Sequence, residues 1–212
     1  MFQLTQSEKI VLSSTMRMIL YFFALICVAV GIWKLADMLG TETFTENGIV
    51  ENVQCVLLVL AGSIFGAIAW FHRSVGIVLM GLVSLCVLGF CREQDALLDE
   101  YLPVLSWRIG YFFPAFVTFY GLNHFRSFVR QVVAFLKTPA FSLMFCAMVM
   151  VIPFAQCIGH RPLIASVIEQ SDSSTVFAIR RMIEESGELL GYVLIVLAAV
   201  ELIFNLKKRQ DV

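Results

Sequence analysis

Six stretches of this chain, residues 16–37, 49–71, 75–91, 104–122, 139–158 and 187–206, are apolar almost without interruption, and they leave little sequence over for anything else. A bilayer's hydrocarbon core, about 30 Å thick, takes roughly 20 helical residues to cross. Strands are a poor alternative, because membrane strands alternate apolar and polar residues over about ten positions. Here residues 56–61 and 193–200 are apolar on every side. Only 15% of residues are charged, against about a quarter in soluble domains. The expected fold is therefore all-α: a polytopic membrane helix bundle of about six transmembrane helices. No internal repeat or long linker divides it, so residues 1–212 read as a single integral membrane domain.

Lysine and arginine in short loops set orientation. With the N-terminus inside, Lys9, Arg17, Arg73, Arg126, Arg130, Lys137, Lys207, Lys208 and Arg209 lie on the inner face. The outer face then holds Lys34, Arg92, Arg108, Arg161, Arg180 and Arg181. Both termini are expected in the cytoplasm and the protein in the cell membrane, the inner membrane in a Gram-negative cell. The polar arm 1–17 has no small-residue cleavage site after it, so the first apolar run reads as a retained helix. Residues 123–137 place Phe125, Phe128, Val129, Val132, Phe135 and Leu136 at helical spacing among Arg126, Arg130 and Lys137. That pattern predicts an amphipathic helix lying on the cytoplasmic leaflet.

The acids do not follow the basic residues. Asp37, Glu42, Glu46, Glu51, Glu93, Asp95, Asp99, Glu100, Glu169, Asp172, Glu184, Glu185 and Glu188 all fall on the outer side, 13 of the 16 carboxylates in the chain. Glu46, Asn47, Gly48 and Glu51 open the second span, with Glu51, Gln54 and Cys55 on one helical face. Arg92, Glu93 and Asp95 close the third. Ser171 to Thr175 reads as a turn and cap, after which residues 176–188 form a helix running straight into the last span. Arg180, Glu184 and Glu188 are spaced by four on it, as are Arg181 and Glu185.

The candidate ligand- or cation-binding set is accordingly Glu51, Gln54, Arg92, Glu93, Asp95, Glu184 and Glu188. Glu51, Glu184, Glu188 and His160 are the candidate metal ligands, for a divalent cation. Glu185, Asp99 and Glu100 read instead as a solvated, ion-paired surface. Gly187 and Gly191 make a small-residue stripe that lets a neighbouring helix come close. Glu201, the one deep acid, is expected to snorkel toward Lys207 and Lys208. Pro114 and Pro153 are expected to kink their spans. Cys27, Cys86 and Cys146 fall inside spans as apolar fillers, whereas Cys55, Cys91 and Cys157 are near enough to the outer boundary for a bridge, with no pair favoured.

Several chemistries find no support. There is no H-E-x-x-H, nucleophile elbow, phosphate loop, dinucleotide fingerprint or nucleic-acid patch, and His72 and His124 read as interfacial. Glu184-Glu185 is similar to the paired glutamates of CAAX-type membrane proteases, but that family needs later His motifs and every His here precedes the pair. No catalytic residue is assigned. The leading expectation is an accessory, sensor or assembly subunit whose acidic outer pocket binds a cation or a basic partner. A small ion-coupled transporter or channel and a membrane-embedded metal hydrolase are the alternatives. Partners would be the bilayer itself and a protein partner or a second copy, not nucleic acid.

Overall fold

The structure, a computed structural model, describes residues 5–45, 48–158, 160, 164 and 173–210. Its described residues contain helices and turns but no strand. They fall into two units, Met1–Gly40 and Thr41–Val212. The first is one helix, α1 (Gln6–Leu39). It starts on a capping box: the Thr5 hydroxyl accepts from the Glu8 N–H, and the Glu8 carboxylate accepts from the Thr5 N–H and hydroxyl at 2.7 Å each. The same two donors hold the Glu8 carboxyl below its usual range, the hydroxyl contributing more. It ends at Gly40, whose φ of +64° is one that side-chain-bearing residues seldom adopt.

The second unit holds α2 (Ile49–Phe71), α3 (Gly76–Glu93), α4 (Asp95–Tyr101), α5 (Phe112–Asn123), α6 (Phe125–Leu136), α7 (Pro139–Val149) and α8 (Ser173–Gln210). A tight turn, Arg73–Val75, folds α2 and α3 into a hairpin. Thr138 caps α7, with Pro139 in the first helical position, where a missing N–H costs nothing. Beyond Val149 the backbone widens into π-type turns over Met150–Ile158, around Pro153. Proline cannot donate the i→i−4 bond there, and a wider turn absorbs the defect. Pro114, by contrast, lies in the first turn of α5, a position where proline is tolerated.

Among the described residues five helices are long and apolar enough to cross a bilayer, and one bent pair would make a sixth. That composition is compatible with a multi-pass membrane protein. The bent pair is where the structure departs from a plain sixfold pattern. Within the run 104–122 the chain is a 3-10 helix over Ser106–Tyr111 and then α5, and just ahead of it α4 and the segment Ser106–Asn123 meet at 101°. Pro103 lies at the break, and the residue before a proline is pushed out of helical geometry. The expected helix at 123–137 is present as α6. The last helix begins at Ser173 and runs unbroken through the residues expected to carry it into the final span.

Burial follows stripes. On α2 the buried positions include Glu51, Gln54, Cys55, Leu58, Ala61, Phe65 and Ile68, the three-and-four spacing of a single helical face. On α3 the stripe runs through Leu79, Leu82, Cys86 and Glu93. On α8 it runs through Glu185, Glu188, Tyr192, Ala199 and Leu202. The apolar parts of these stripes, with Met144 and Ala140 of α7 and Phe135 of α6, make the core. Gln131 on α6 is also buried, and its Oε1 accepts from the backbone N–H of Ile77 at 2.8 Å and of Val78 at 3.4 Å. It thereby satisfies donors at the start of α3 that no α3 carbonyl can reach.

Candidate functional site

All three stripes end in carboxylates at the same end of the bundle. Glu51 stands at the start of α2, Glu93 at the end of α3, and Glu185 and Glu188 in the N-terminal half of α8. Each is buried. One carboxylate oxygen from each of Glu93, Glu185 and Glu188 lies within 4.8 Å of the others. The cavity they border, about 210 Å³, is also lined by Glu51, Asp95, Glu184, Arg92, Arg180 and Arg181. Six carboxylates thus face three guanidiniums.

The pairing within this group is uneven. Arg92 forms an ion pair with Glu188, and Gln156 donates to the same Oε1 at 2.8 Å. Arg181 lies 3.5 Å from Glu185 and also donates to the Phe44 carbonyl at 3.2 Å. Arg180 lies 3.1 Å from Glu184. Glu93 has no guanidinium at ion-pair distance among the described residues; its partner is the Tyr192 hydroxyl, which donates at 2.7 Å. Gln54, fully buried, donates through Nε2 to the Glu185 carbonyl at 3.0 Å and its carboxylate at 3.2 Å. Its Oε1 finds no donor. Glu93 and Glu188 each use only Oε1 in these bonds, so both keep a second oxygen for a ligand.

Of the residues singled out from the sequence, Glu51, Arg92, Glu93, Asp95, Glu184 and Glu188 line this one cavity, and Gln54 braces it from behind through Glu185. His160 is exposed and outside the lining, so the tight carboxylate group is Glu93, Glu185 and Glu188 in place of Glu51, Glu184, Glu188 and His160. Glu185 is buried, not part of a solvated surface, while Asp99 and Glu100 are exposed. Glu46, Asn47, Arg161, Glu169, Ser171 and Asp172 lie outside the described residues. Two members have no counterpart in the sequence reading: Gln156 and Tyr192, both polar residues inside apolar runs.

Glu201 is 1% exposed and faces the interior of the bundle, which overturns the expectation that it snorkels. Its neighbours on the helix, Ala198, Ala199 and Leu202, are buried too, so its side chain is turned away from the surface that leads to Lys207. It does not extend the acidic cavity. Thirteen positions separate it from Glu188, which places the two about 20 Å apart along α8 and about 140° apart around it. All six cysteines are free thiols, and Cys55 accepts from Gln94 at 3.1 Å.

No known family, no characterised protein and no solved structure matches the chain. The chemistry of the cavity must speak for itself. Two unit charges about 4 Å apart repel by about 4 kcal/mol in the partly screened environment of a protein boundary, and burial adds a desolvation cost for each. Three carboxylates held this closely repel one another unless protons or positive charge offset them, and Arg92 and Arg181 supply part of that charge. Paired oxygens from carboxylates suit hard cations such as calcium, magnesium or manganese.

Proposed function

We propose that this is a multi-pass protein of the cell membrane that binds a divalent cation in its acidic cavity and works as a non-enzymatic sensor or assembly subunit. Both termini would be cytoplasmic, α6 would lie on the inner leaflet, and the cavity would open on the outer side. The observation that carries the reading is the convergence of Glu93, Glu185 and Glu188 within 4.8 Å, with Glu93 bonded to a neutral hydroxyl and not to a guanidinium. Of these three, Glu93 is thus the carboxylate without a guanidinium at ion-pair distance among the described residues.

The alternatives draw less support. Among the described residues the cavity lining contains no hydroxyl, thiol or imidazole to act as nucleophile or base beside the carboxylates. A transport path would join Glu188 to Glu201, but Leu58, Ala61, Phe65 and Leu82 fill the core that lies between the two levels.

The test is titration of the purified protein with Mn²⁺, read by electron paramagnetic resonance in mild detergent. One bound ion per chain is expected, competed by calcium or magnesium and lost in Glu93→Gln, a variant that keeps an acceptor for Tyr192. Absence of bound Mn²⁺ in the unmodified protein, or equal binding by a folded Glu93→Gln variant, would overturn the reading.

A further inference from the structure

The opposite end of the second unit carries the reverse charge. Segments 72–76, 121–138 and 205–210 contain Arg73, Arg126, Arg130, Lys137, Lys207, Lys208 and Arg209 and no carboxylate. Val75, Thr138 and Asn205 line one small cavity, so these three segments meet. Beside them a trough of about 420 Å³ runs between α2, α3 and α5, within the roughly 300–1,000 Å³ of sites that enclose small molecules.

The sequence explains the trough. Gly66, Ala69 and Gly76 supply almost no side chain on the α2 and α3 side, while Phe113 and Phe116 of α5 form the facing wall. A Cβ added at Gly66 would meet nothing closer than a Val83 methyl at 3.9 Å, so the floor is open where a larger residue could have filled it. The lining's single charge is Arg73, exposed and without an ion-pair partner among the described residues. Trp70 and Tyr120, also in the lining and also exposed, are the residue types that settle at the headgroup level of a bilayer. Gln131 holds α6, with Arg126 and Arg130, against the start of α3 four residues from Arg73.

A ligand that matches this surface has a long apolar body and one anionic head. We propose that the trough is a binding site for an anionic phospholipid, with one acyl chain between α2, α3 and α5 and its phosphate on Arg73. Charge complementarity selects this occupant over a zwitterionic lipid: among the described residues the three segments offer Arg73, Arg126, Arg130, Lys137 and Lys207 and no carboxylate. The site is separate from the acidic cavity and does not depend on the reading given for it.

Trp70 provides the reporter. In a protein whose other tryptophans are changed by Trp33→Phe and Trp107→Phe, Trp70 fluorescence is measured in phosphatidylcholine vesicles containing chain-brominated phosphatidylglycerol or chain-brominated phosphatidylcholine. Brominated phosphatidylglycerol is expected to quench with about fivefold higher relative affinity, the scale set by one basic residue at an anionic surface. Arg73→Gln should bring the ratio to about one and Arg73→Lys should retain it. Gly66→Leu, which fills the floor and leaves Arg73 in place, should weaken quenching by both lipids. Equal quenching by the two lipids in the starting protein would overturn the proposal, as would a preference that survives Arg73→Gln. Unchanged quenching in Gly66→Leu would overturn the placement of the chain in the trough.

Discussion

Gln54 on α2 holds Glu185 on α8 by two bonds from a single amide nitrogen, one to the backbone carbonyl and one to the carboxylate. Because the side chain is fully buried, the contact fixes both the height of α8 against α2 and the direction of the Glu185 carboxylate. A hydrogen bond to a charged group contributes about 1.5–3 kcal/mol, so Gln54→Leu, nearly equal in volume, should lower stability by about that amount. Gln54→Glu should cost more, since it sets a carboxylate where Glu185 Oε2 now receives a donor. Thermal melting in detergent measures both. Equal stability of Gln54→Leu and the unmodified protein would show that the bridge contributes nothing.

The glycines of α8 give a graded series. A Cβ at Gly191 would sit 2.3 Å from a Val151 methyl and 3.3 Å from the Ala147 carbonyl, whereas one at Gly187 would meet Ala155 and Phe154 at 3.2 Å. At Gly81 in α3 it would meet nothing within 4 Å. Replacing an interior helical glycine by alanine gains about 1 kcal/mol, and overpacking costs about 1–3 kcal/mol. Gly81→Ala should therefore stabilise, Gly187→Ala should be near neutral, and Gly191→Ala should destabilise. Denaturant unfolding ranks them; a Gly191→Ala variant as stable as Gly81→Ala would contradict the close approach of α8 to the Met150–Ile158 segment.

The apolar runs made the helices legible, and the lopsided acids made the end of the bundle that carries the cavity legible. What the sequence reading missed is which acids point inward. Glu93 lies seven positions beyond Cys86, and Glu185 seven before Tyr192, so both continue a buried stripe by two helical turns. Extending that periodicity past the apolar boundary would have marked Glu185 as buried. The i,i+4 pairing with Arg181 suggested a surface ion pair instead. Gln156 was beyond reach, because its position depends on the widened turns around Pro153. The bend at Pro103 was missed because it lies ahead of the apolar run 104–122, in a stretch that read as a loop and not as the short helix α4. Gln131 illustrates the same limit: its role requires knowing that α6 lies across the first turn of α3.

Gln131 is accordingly a sharp probe of that arrangement. Loss of a side chain that caps a helix start costs about 0.5–2 kcal/mol, and here Val78, whose N–H it receives, is itself buried. Gln131→Leu should destabilise within or slightly above that range. Hydrogen exchange in detergent should show faster exchange of the Ile77 and Val78 amides, with the middle of α3 unaffected. Unchanged exchange at both amides would mean that α6 does not cap α3.

The Arg92 and Glu188 ion pair should respond asymmetrically to its two deletions. The Glu188 side chain is 1% exposed and that of Arg92 37%. Removing Arg92 therefore leaves a buried carboxylate beside Glu93 and Glu185 with the Gln156 amide as its remaining hydrogen-bond donor among the described residues. Removing one partner of a buried pair costs about 3–5 kcal/mol. Arg92→Gln should fall at or below the lower end of that range, because the Arg92 side chain is partly in solvent. Glu188→Gln should cost less, because the freed guanidinium can turn toward water and the three-carboxylate group loses one repelling charge. Replacing both residues with glutamine should be milder than Arg92→Gln alone, since no uncompensated carboxylate is left at position 188. Melting temperatures of the two single variants and the double variant close the cycle. An Arg92→Gln loss no larger than that of Glu188→Gln would mean that Glu188 is not the buried, charge-dependent member of the pair.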